Sequence, residues 1–362
     1  MDMDASTGQD GSDNPLTRRD VEALLNQVRT SSKLNFLGEI QIDINMTPGR
    51  KRARHIQAIV VDEILLCGYK EDEMQTQEHG APVIGIDIGG TNTRIGLFPS
   101  LDAPEYELLA KFPTQQDYEQ QLQMIGQVLQ ERGVQRAAGI GVSIAARIAK
   151  DGQTVIFAPN LPGYIGKPLA NQLSALCACP VRLAHDTVCG LLAEARFGAL
   201  QMVERCAYLT VSTGTGAAIQ LGKANTRLIS SIEIGHQILD GNQRACLCGM
   251  TGCLETYTGG RQLELRYGRP VEQITDSAFW ETFTEKLSIG LINLAQLSRI
   301  DVVAVSGAIA LNSTFLLPAL QATIDRLLTP STLELRFAML GETAPLVGAA
   351  ALLGIPENNV LH

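Results

Sequence analysis

A chain of 362 residues is too long for one ordinary core and long enough for two packed lobes with an appendage. Its 45% hydrophobic content and 34 glycines suit a globular protein rich in tight turns, and no apolar run approaches the roughly 20 residues of a membrane span. A net charge of -9 sets the chain against a phosphate backbone, so neither a membrane nor nucleic acid is an expected partner.

The opening stretch MDMDASTGQDGSDNP is acidic and polar, with neither a basic start nor an apolar stretch of the secretory kind, which points to the cytoplasm. In that reducing setting a tight cluster among the eight cysteines suggests metal ligands, whereas scattered ones serve as small buried hydrophobes. Thr17 and Asp20 mark the start of a helix through RRDVEALLNQVRTS. GEIQIDIN alternates like a half-exposed strand, and after the basic turn TPGRKRAR the apolar HIQAIVVDEILLCGY reads as a strand or a buried helix. Residues 1–81 are thus expected to form a small α/β appendage of unknown role, ending in the polar linker KEDEMQTQEHGAP.

From Val83 onward strands and helices alternate: VIGIDI, TRIGLF, YELLAKF, the helical QQDYEQQLQMIGQVLQERG, then AAGIGVSI. In the first turn Gly89, Gly90, Thr91, Asn92 and Thr93 offer backbone N–H groups without bulky side chains, a cradle for an anion. The strand-like RIGLF that follows makes this a hairpin, not a helix-opening dinucleotide turn. Asp87 ends the first strand and is placed to serve a magnesium ion, although a glycine-rich hairpin with an Asp is more often structural. At Cys206, CAYLTVSTGTGAAIQLG repeats the scheme of strand, Gly/Thr turn and strand, with Ser212 to Gly216 as the turn. Two such hairpins opening two α/β halves suggest duplicated lobes that clamp one nucleotide.

PVRLAHDTVCGLLAEARFGA reads as a strand, Asp186, then a helix from Thr187 to near Gly198. Asp186 fits equally an N-cap and a general base for phosphoryl transfer to an alcohol. Downstream, Cys246, Cys248 and Cys253 fall within eight residues and His236 precedes them by ten, a set of N and S ligands suited to tetrahedral structural zinc, with reduced buried thiols as the plainer reading. Glu233 and Glu255 flank this loop and are suited to accept hydrogen bonds from sugar hydroxyls.

Taken in order, DIGGTNTR, APNLPG, the Asp of HD, STGTG and EIGH…CLCGMTGCLE resemble the motifs of ROK-family sugar kinases, over about Val83 to Gly354. The resemblance implies two ribonuclease-H-like lobes of the actin and hexokinase type around a cleft, one over residues 82–189 with 345–362 returning to it, the other over 190–344. It implies ATP, Mg2+ and structural Zn2+ as cofactors, a sugar substrate and a homo-oligomer. Asp186 becomes the base, Asn160, Glu233, His236 and Glu255 sugar contacts, and His236 a zinc ligand with Cys246, Cys248 and Cys253. Gly89 to Thr91, and Thr213, Gly214, Thr215 and Gly216, become phosphate contacts, with Gly307 of VAVSGAIA facing the adenosine.

Three positions depart from the family pattern. His185 stands where Asn is usual, Arg147 is similar to an arginine of the N-acetylmannosamine-kinase-like members, and SGA replaces a more glycine-rich turn. A glucokinase-like activity leads, with a hexose or an N-acetylhexosamine as substrate. A ROK-type regulator with an N-terminal DNA-binding unit and a non-catalytic sugar sensor are the alternatives, the first disfavoured because residues 1–80 do not read as three helices.

Overall fold

A computed structural model describes residues 81–134, 137–223 and 226–362. The expected helix, strands and basic turn of the first 80 residues lie outside the described residues.

The first lobe begins with the hairpin β1 (Val83–Ile88) and β2 (Asn92–Phe98), followed by β3 (Glu107–Pro113). Every residue of β1 is buried, as befits a central strand. Helix α1 (Tyr118–Glu131) starts where Asp117 accepts a hydrogen bond from Gln120 N–H at 2.8 Å, and it buries Tyr118, Gln121, Ile125 and Leu129 at helical spacing. β4 (Ile140–Ile144), the small hairpin β5 (Arg147–Ile148) and β6 (Val155–Phe157), α2 (Leu169–Cys177) and β7 (Val181–His185) complete the unit. Its sheet has the order β3-β2-β1-β4-β7, antiparallel across the first three strands and parallel across the last three.

After α3 (Asp186–Phe197) the same scheme recurs. β8 (Arg205–Val211), β9 (Thr215–Leu221) and β10 (Leu228–Ile232) are followed by a loop region with α4 (Glu255–Thr258), α5 (Gly260–Tyr267) and the long α6 (Ser277–Ser298). Then come β11 (Val302–Ser306), α7 (Ala308–Asn312), α8 (Leu316–Leu327), β12 (Glu334–Phe337), α9 (Ala344–Ala351) and β13 (Val360–Leu361). The second sheet, β12-β11-β8-β9-β10-β13, reproduces the first strand for strand and adds β13 at its edge. This is the duplicated two-lobe α/β architecture. One expected boundary needs correction: residues 345–362 do not return to the first lobe as a whole, because β13 pairs parallel to β10 of the second sheet through Ile229–Val360.

Helices α3 and α9 lie between the sheets, and their contact depends on a missing side chain. A β-carbon at Gly348 would stand 1.7 Å from the Cys189 carbonyl oxygen, so only glycine lets the two backbones meet. Glu194 of α3 is fully buried and accepts hydrogen bonds from Ala199 N–H at 2.8 Å, Met339 N–H at 3.1 Å and Leu340 N–H at 2.8 Å. It ties the helix to the segment entering α9. Glu194→Ala would take the acceptor from three backbone donors and the buried carboxylate from α3, and a loss of about 3–5 kcal/mol in chemical denaturation is expected; a loss under about 1 kcal/mol would contradict this role. Among the described residues no helix is long and apolar enough to cross a membrane.

Candidate active site

Parallel register brings the first group of candidate residues together. Asp87 ends β1 opposite Ser143 of β4, and β7 delivers His185 beside Ile144, so the C-terminal edge of three strands carries Asp87, Ser143, His185 and Asp186. Ligands in α/β sheets gather at such an edge. Asp87 is 7% exposed and accepts a hydrogen bond from Ser143 Oγ at 2.9 Å. Burial raises its pKa from 3.8 to about 6, against the opposing pull of Ser143 and Arg94, with the Asp186 carboxylate adding to the rise. Ser143 was legible as the one polar side chain in an otherwise apolar strand, and Arg94 as the residue paired across from Asp87.

The sign of that shift yields a prediction. Because the folded pKa is raised, Asp87 favours the fold most below 3.8, and this contribution fades as pH rises through about 6. Cation binding has the opposite sense, since it needs the carboxylate. Affinity for magnesium with a non-hydrolysable ATP analogue is expected to fall about tenfold per pH unit below 6. Titration calorimetry from pH 5 to 8 checks it, and a flat profile would contradict it.

Asp186 opens α3 but does not cap it. The cap is His185, whose Nδ1 accepts from Thr187 N–H at 3.3 Å and lies 2.8 Å from Thr187 Oγ1. The same Nδ1 is 2.8 Å from the buried Asp186 Oδ1, a hydrogen bond when Nδ1 carries a proton. Nδ1 offers a lone pair to Thr187 N–H when it is unprotonated and a proton to Asp186 Oδ1 when it is protonated, so the two contacts alternate with its protonation. Burial alone would depress the His185 pKa; the Asp186 carboxylate, by its charge and its hydrogen bond, and then Glu233 outweigh it and hold it above the usual value, despite Arg147. The other carboxylate oxygen, Asp186 Oδ2, accepts no hydrogen bond among the described residues.

The first hairpin turn directs its carbonyls inward. Gly89 N–H donates to the Asn92 carbonyl at 3.0 Å, Thr114 N–H to the Thr91 carbonyl at 2.9 Å and Thr114 Oγ1 to the Gly89 carbonyl at 2.7 Å. Gly90 and Thr91 are exposed, and their N–H groups have no acceptor among the described residues, as an anion cradle requires. Thr93 does not belong to this face: it is fully buried, bonded at 2.9 Å to Thr114 Oγ1 and at 2.8 Å to Gln121 Nε2. Its expected phosphate contact is corrected, because its place in β2 turns the side chain into the lobe.

At the second turn Ser212 N–H donates to the Gly214 carbonyl at 2.9 Å, while Gly260 N–H and Arg261 N–H hold the Ser212 and Thr213 carbonyls at 2.8 and 2.9 Å. The N–H groups of Thr213 and Gly214 have no acceptor among the described residues. Thr215 is again otherwise engaged, its N–H with Glu255 Oε2 at 2.9 Å and its hydroxyl with Thr258 Oγ1 at 2.8 Å. Gly216 is a β9 residue where a β-carbon would come within 3.1 Å of Thr187 Cγ2, so it places the second hairpin against the start of α3. Gly307, at φ 93°, would bring a β-carbon within 2.3 Å of the Val211 carbonyl oxygen; its glycine serves backbone contact with β8.

The remaining candidates converge from both lobes. A β-carbon at Gly90 would be 3.2 Å from Asn160 Cβ, so the first turn abuts the Asn160 loop. Arg147 Nε of the first lobe stands 3.3 Å from Glu233 Oε1 of the second, and Glu233 Oε2 is 4.0 Å from His236 Nε2. These pairs are half-exposed and give little stability, but they fix where the side chains meet. The recess formed by Arg244, Tyr257, Tyr267 and Phe279, about 220 Å³ in volume, holds none of the candidate residues.

His236 and the three cysteines fit the expected metal. Their ligand atoms lie within 4.8 Å of one another, with Cys248 Sγ to Cys253 Sγ at 3.7 Å and Cys246 Sγ to His236 Nδ1 at 3.9 Å. Sulfurs about 2.3 Å from a tetrahedral zinc stand about 3.8 Å apart, so the cluster matches that ion's donor set and size. Gln262 Nε2 donates to Cys246 Sγ at 3.2 Å, a partner the sequence reading missed. Burial pushes the Cys253 thiol up to about 12, and a bound cation would reverse this by taking the thiolate.

The ROK family model matches residues 83–354. Among curated relatives, a xylose repressor of Caldicellulosiruptor bescii is 27% identical over 234 residues, which cover 62% of this chain and 58% of the repressor, so the chain spans little more than half of that relative. The N-acetyl-D-glucosamine kinase of Salmonella typhi is 28% identical over 300 residues, covering 74% of this chain and 98% of the kinase. A solved ROK hexokinase from Thermus thermophilus superposes with a TM-score of 0.62 at 29% identity, over 75% of this chain and 97% of that one.

Proposed function

Because the chain belongs to the ROK family, we propose that it is an ATP-dependent sugar kinase acting on a hydroxyl of a hexose or N-acetylhexosamine, with glucokinase-like activity as the leading case. ATP supplies the phosphoryl group and Mg2+ neutralises its charge. The exposed N–H groups of Gly90 and Thr91, and those of Thr213 and Gly214, grip the phosphates from two sides, and Asp87 serves the magnesium. Asn160, His185, Glu233, His236, Glu255 and Arg147 read the sugar, with Arg147 and Glu233 meeting across the cleft. The sugar oxygen attacks the γ-phosphorus, the bond from that phosphorus to the ADP oxygen breaks, and the hydroxyl proton passes to Asp186.

One observation carries this reading: His185 and not Asp186 caps α3, and Asp186 Oδ2 accepts no hydrogen bond from the described residues. Its bland use as a cap is already filled. The cysteine cluster holds a structural zinc, residues 82–189 and 190–344 form the two lobes, and the protein works in the cytoplasm as a homo-oligomer. An ADP-release assay over glucose, mannose, fructose, allose, N-acetylglucosamine and N-acetylmannosamine tests the activity. Sugar-dependent release on at least one supports it; none on any, with sugar binding intact, overturns it.

A second reading is favoured by the similarity to a repressor and by the basic run Arg50, Lys51, Arg52 and Arg54. In that case residues 1–81 bind DNA and the lobes sense the sugar. Fluorescence anisotropy of the full chain with labelled operator-length DNA, at two salt concentrations, distinguishes the readings.

A further inference from the structure

Glu255 opens α4, and its side chain lies over the second hairpin turn, where Thr215 N–H donates to Oε2 at 2.9 Å. Three glycines leave room for it. A β-carbon at Gly259 would be 2.5 Å from Glu255 Cγ, and one at Gly235 would be 2.3 Å from the Thr215 carbonyl oxygen and 3.3 Å from Glu255 Oε2. A β-carbon at Gly214 would stand 2.8 Å from Oε2, and Glu255 is all it would meet within 4 Å. The second carboxylate oxygen, Oε1, takes no hydrogen bond from the described residues.

This slot joins two places that serve different substrates. Gly214 belongs to the turn with open N–H groups, while Gly235 lies between Glu233 and His236 on the sugar side. A rigid acceptor that touches both can pass the occupancy of one site to the other, and such coupling is reciprocal.

We propose that Glu255 is a positioning residue that couples sugar and nucleotide binding: it holds the 212–216 turn in its phosphate-gripping shape through Thr215 N–H while a sugar hydroxyl donates to Oε1. The inference rests on the kinase reading above. The charged acceptor strengthens its bond to the N–H group, so the neutral amide of Glu255→Gln loosens the turn even without sugar. A residue that only read the sugar would leave sugar-free nucleotide binding alone.

Calorimetry with AMP-PNP and magnesium, without sugar and with a saturating sugar from the assay panel, tests this. Glu255→Gln is expected to weaken sugar-free AMP-PNP binding about tenfold and to abolish its improvement by sugar. Gly214→Ala is expected to weaken AMP-PNP binding in the wild-type background and to have no further effect in a Glu255→Ala background, where the added methyl meets nothing. Unchanged sugar-free binding by Glu255→Gln, or additive effects of Gly214→Ala and Glu255→Ala, would overturn the inference. Failure of the wild-type protein itself to bind AMP-PNP would instead overturn the kinase reading and take this inference with it.

Discussion

Asp186→Asn is expected to reduce sugar phosphorylation by about 10²–10⁴-fold, the usual contribution of a positioned general base, while sugar affinity changes by no more than about threefold. The amide keeps the size of the side chain and its place at the first position of α3, so the strand edge that carries Asp87 and Ser143 should persist. What disappears is the proton acceptor. A second signature accompanies the first: without the Asp186 carboxylate, His185 loses the chief influence holding its pKa up against burial, so its titration, followed by NMR, moves to lower pH. Turnover within a few-fold of wild type would remove Asp186 from the role of base. A drop in turnover with an equal drop in sugar affinity would make it a binding group instead.

Cys253→Ser is expected to release the metal and with it the order of the loop from Glu233 to Glu255. Cys253 is fully buried, its Sγ is 3.7 Å from that of Cys248, and it pairs with Ile238 across a short bridge that folds the loop back on itself. A cation held at about 1,000 times its dissociation constant stabilises the site by about 4 kcal/mol, which such a small apolar contact area does not replace. Because His236 Nε2 faces Glu233 while its Nδ1 faces Cys246, loss of the metal should free Glu233 and lower sugar affinity by at least about tenfold. Elemental analysis of protein kept reduced and free of chelators reads the first effect and calorimetry with sugar the second. One zinc per chain that persists in Cys253→Ser, or unchanged sugar binding without zinc, would contradict the account.

Much of the fold was open to sequence reading, because alternating strands, glycine turns and helical periodicity are local signals. The two hairpins, the helix α1 and the strand bearing Asp87 all stand where the pattern of residues put them. Parity could have separated the turn residues further. Thr93 shares a face of β2 with Ile95, so its hydroxyl had to point inward even though it lies within the glycine-rich motif. That His185 and not Asp186 caps α3 was beyond the sequence, since it depends on the backbone of His185, at φ -58° and ψ 145°. Contacts between distant segments were equally hidden. Glu255 meets Thr215 across 40 residues, Glu194 meets Met339 across 145, and β13 is a two-residue strand with no periodicity to read.

The central claim, that this chain moves a phosphoryl group from ATP to a sugar, is tested most directly with γ-labelled ATP. Protein, magnesium and the label are incubated with each panel sugar, and the products are separated. The account predicts that label appears on at least one sugar with the wild-type protein and stays in ATP with Asp186→Asn. Label that remains in ATP with every sugar, while calorimetry shows a sugar bound, would contradict it and leave the lobes as a sensor.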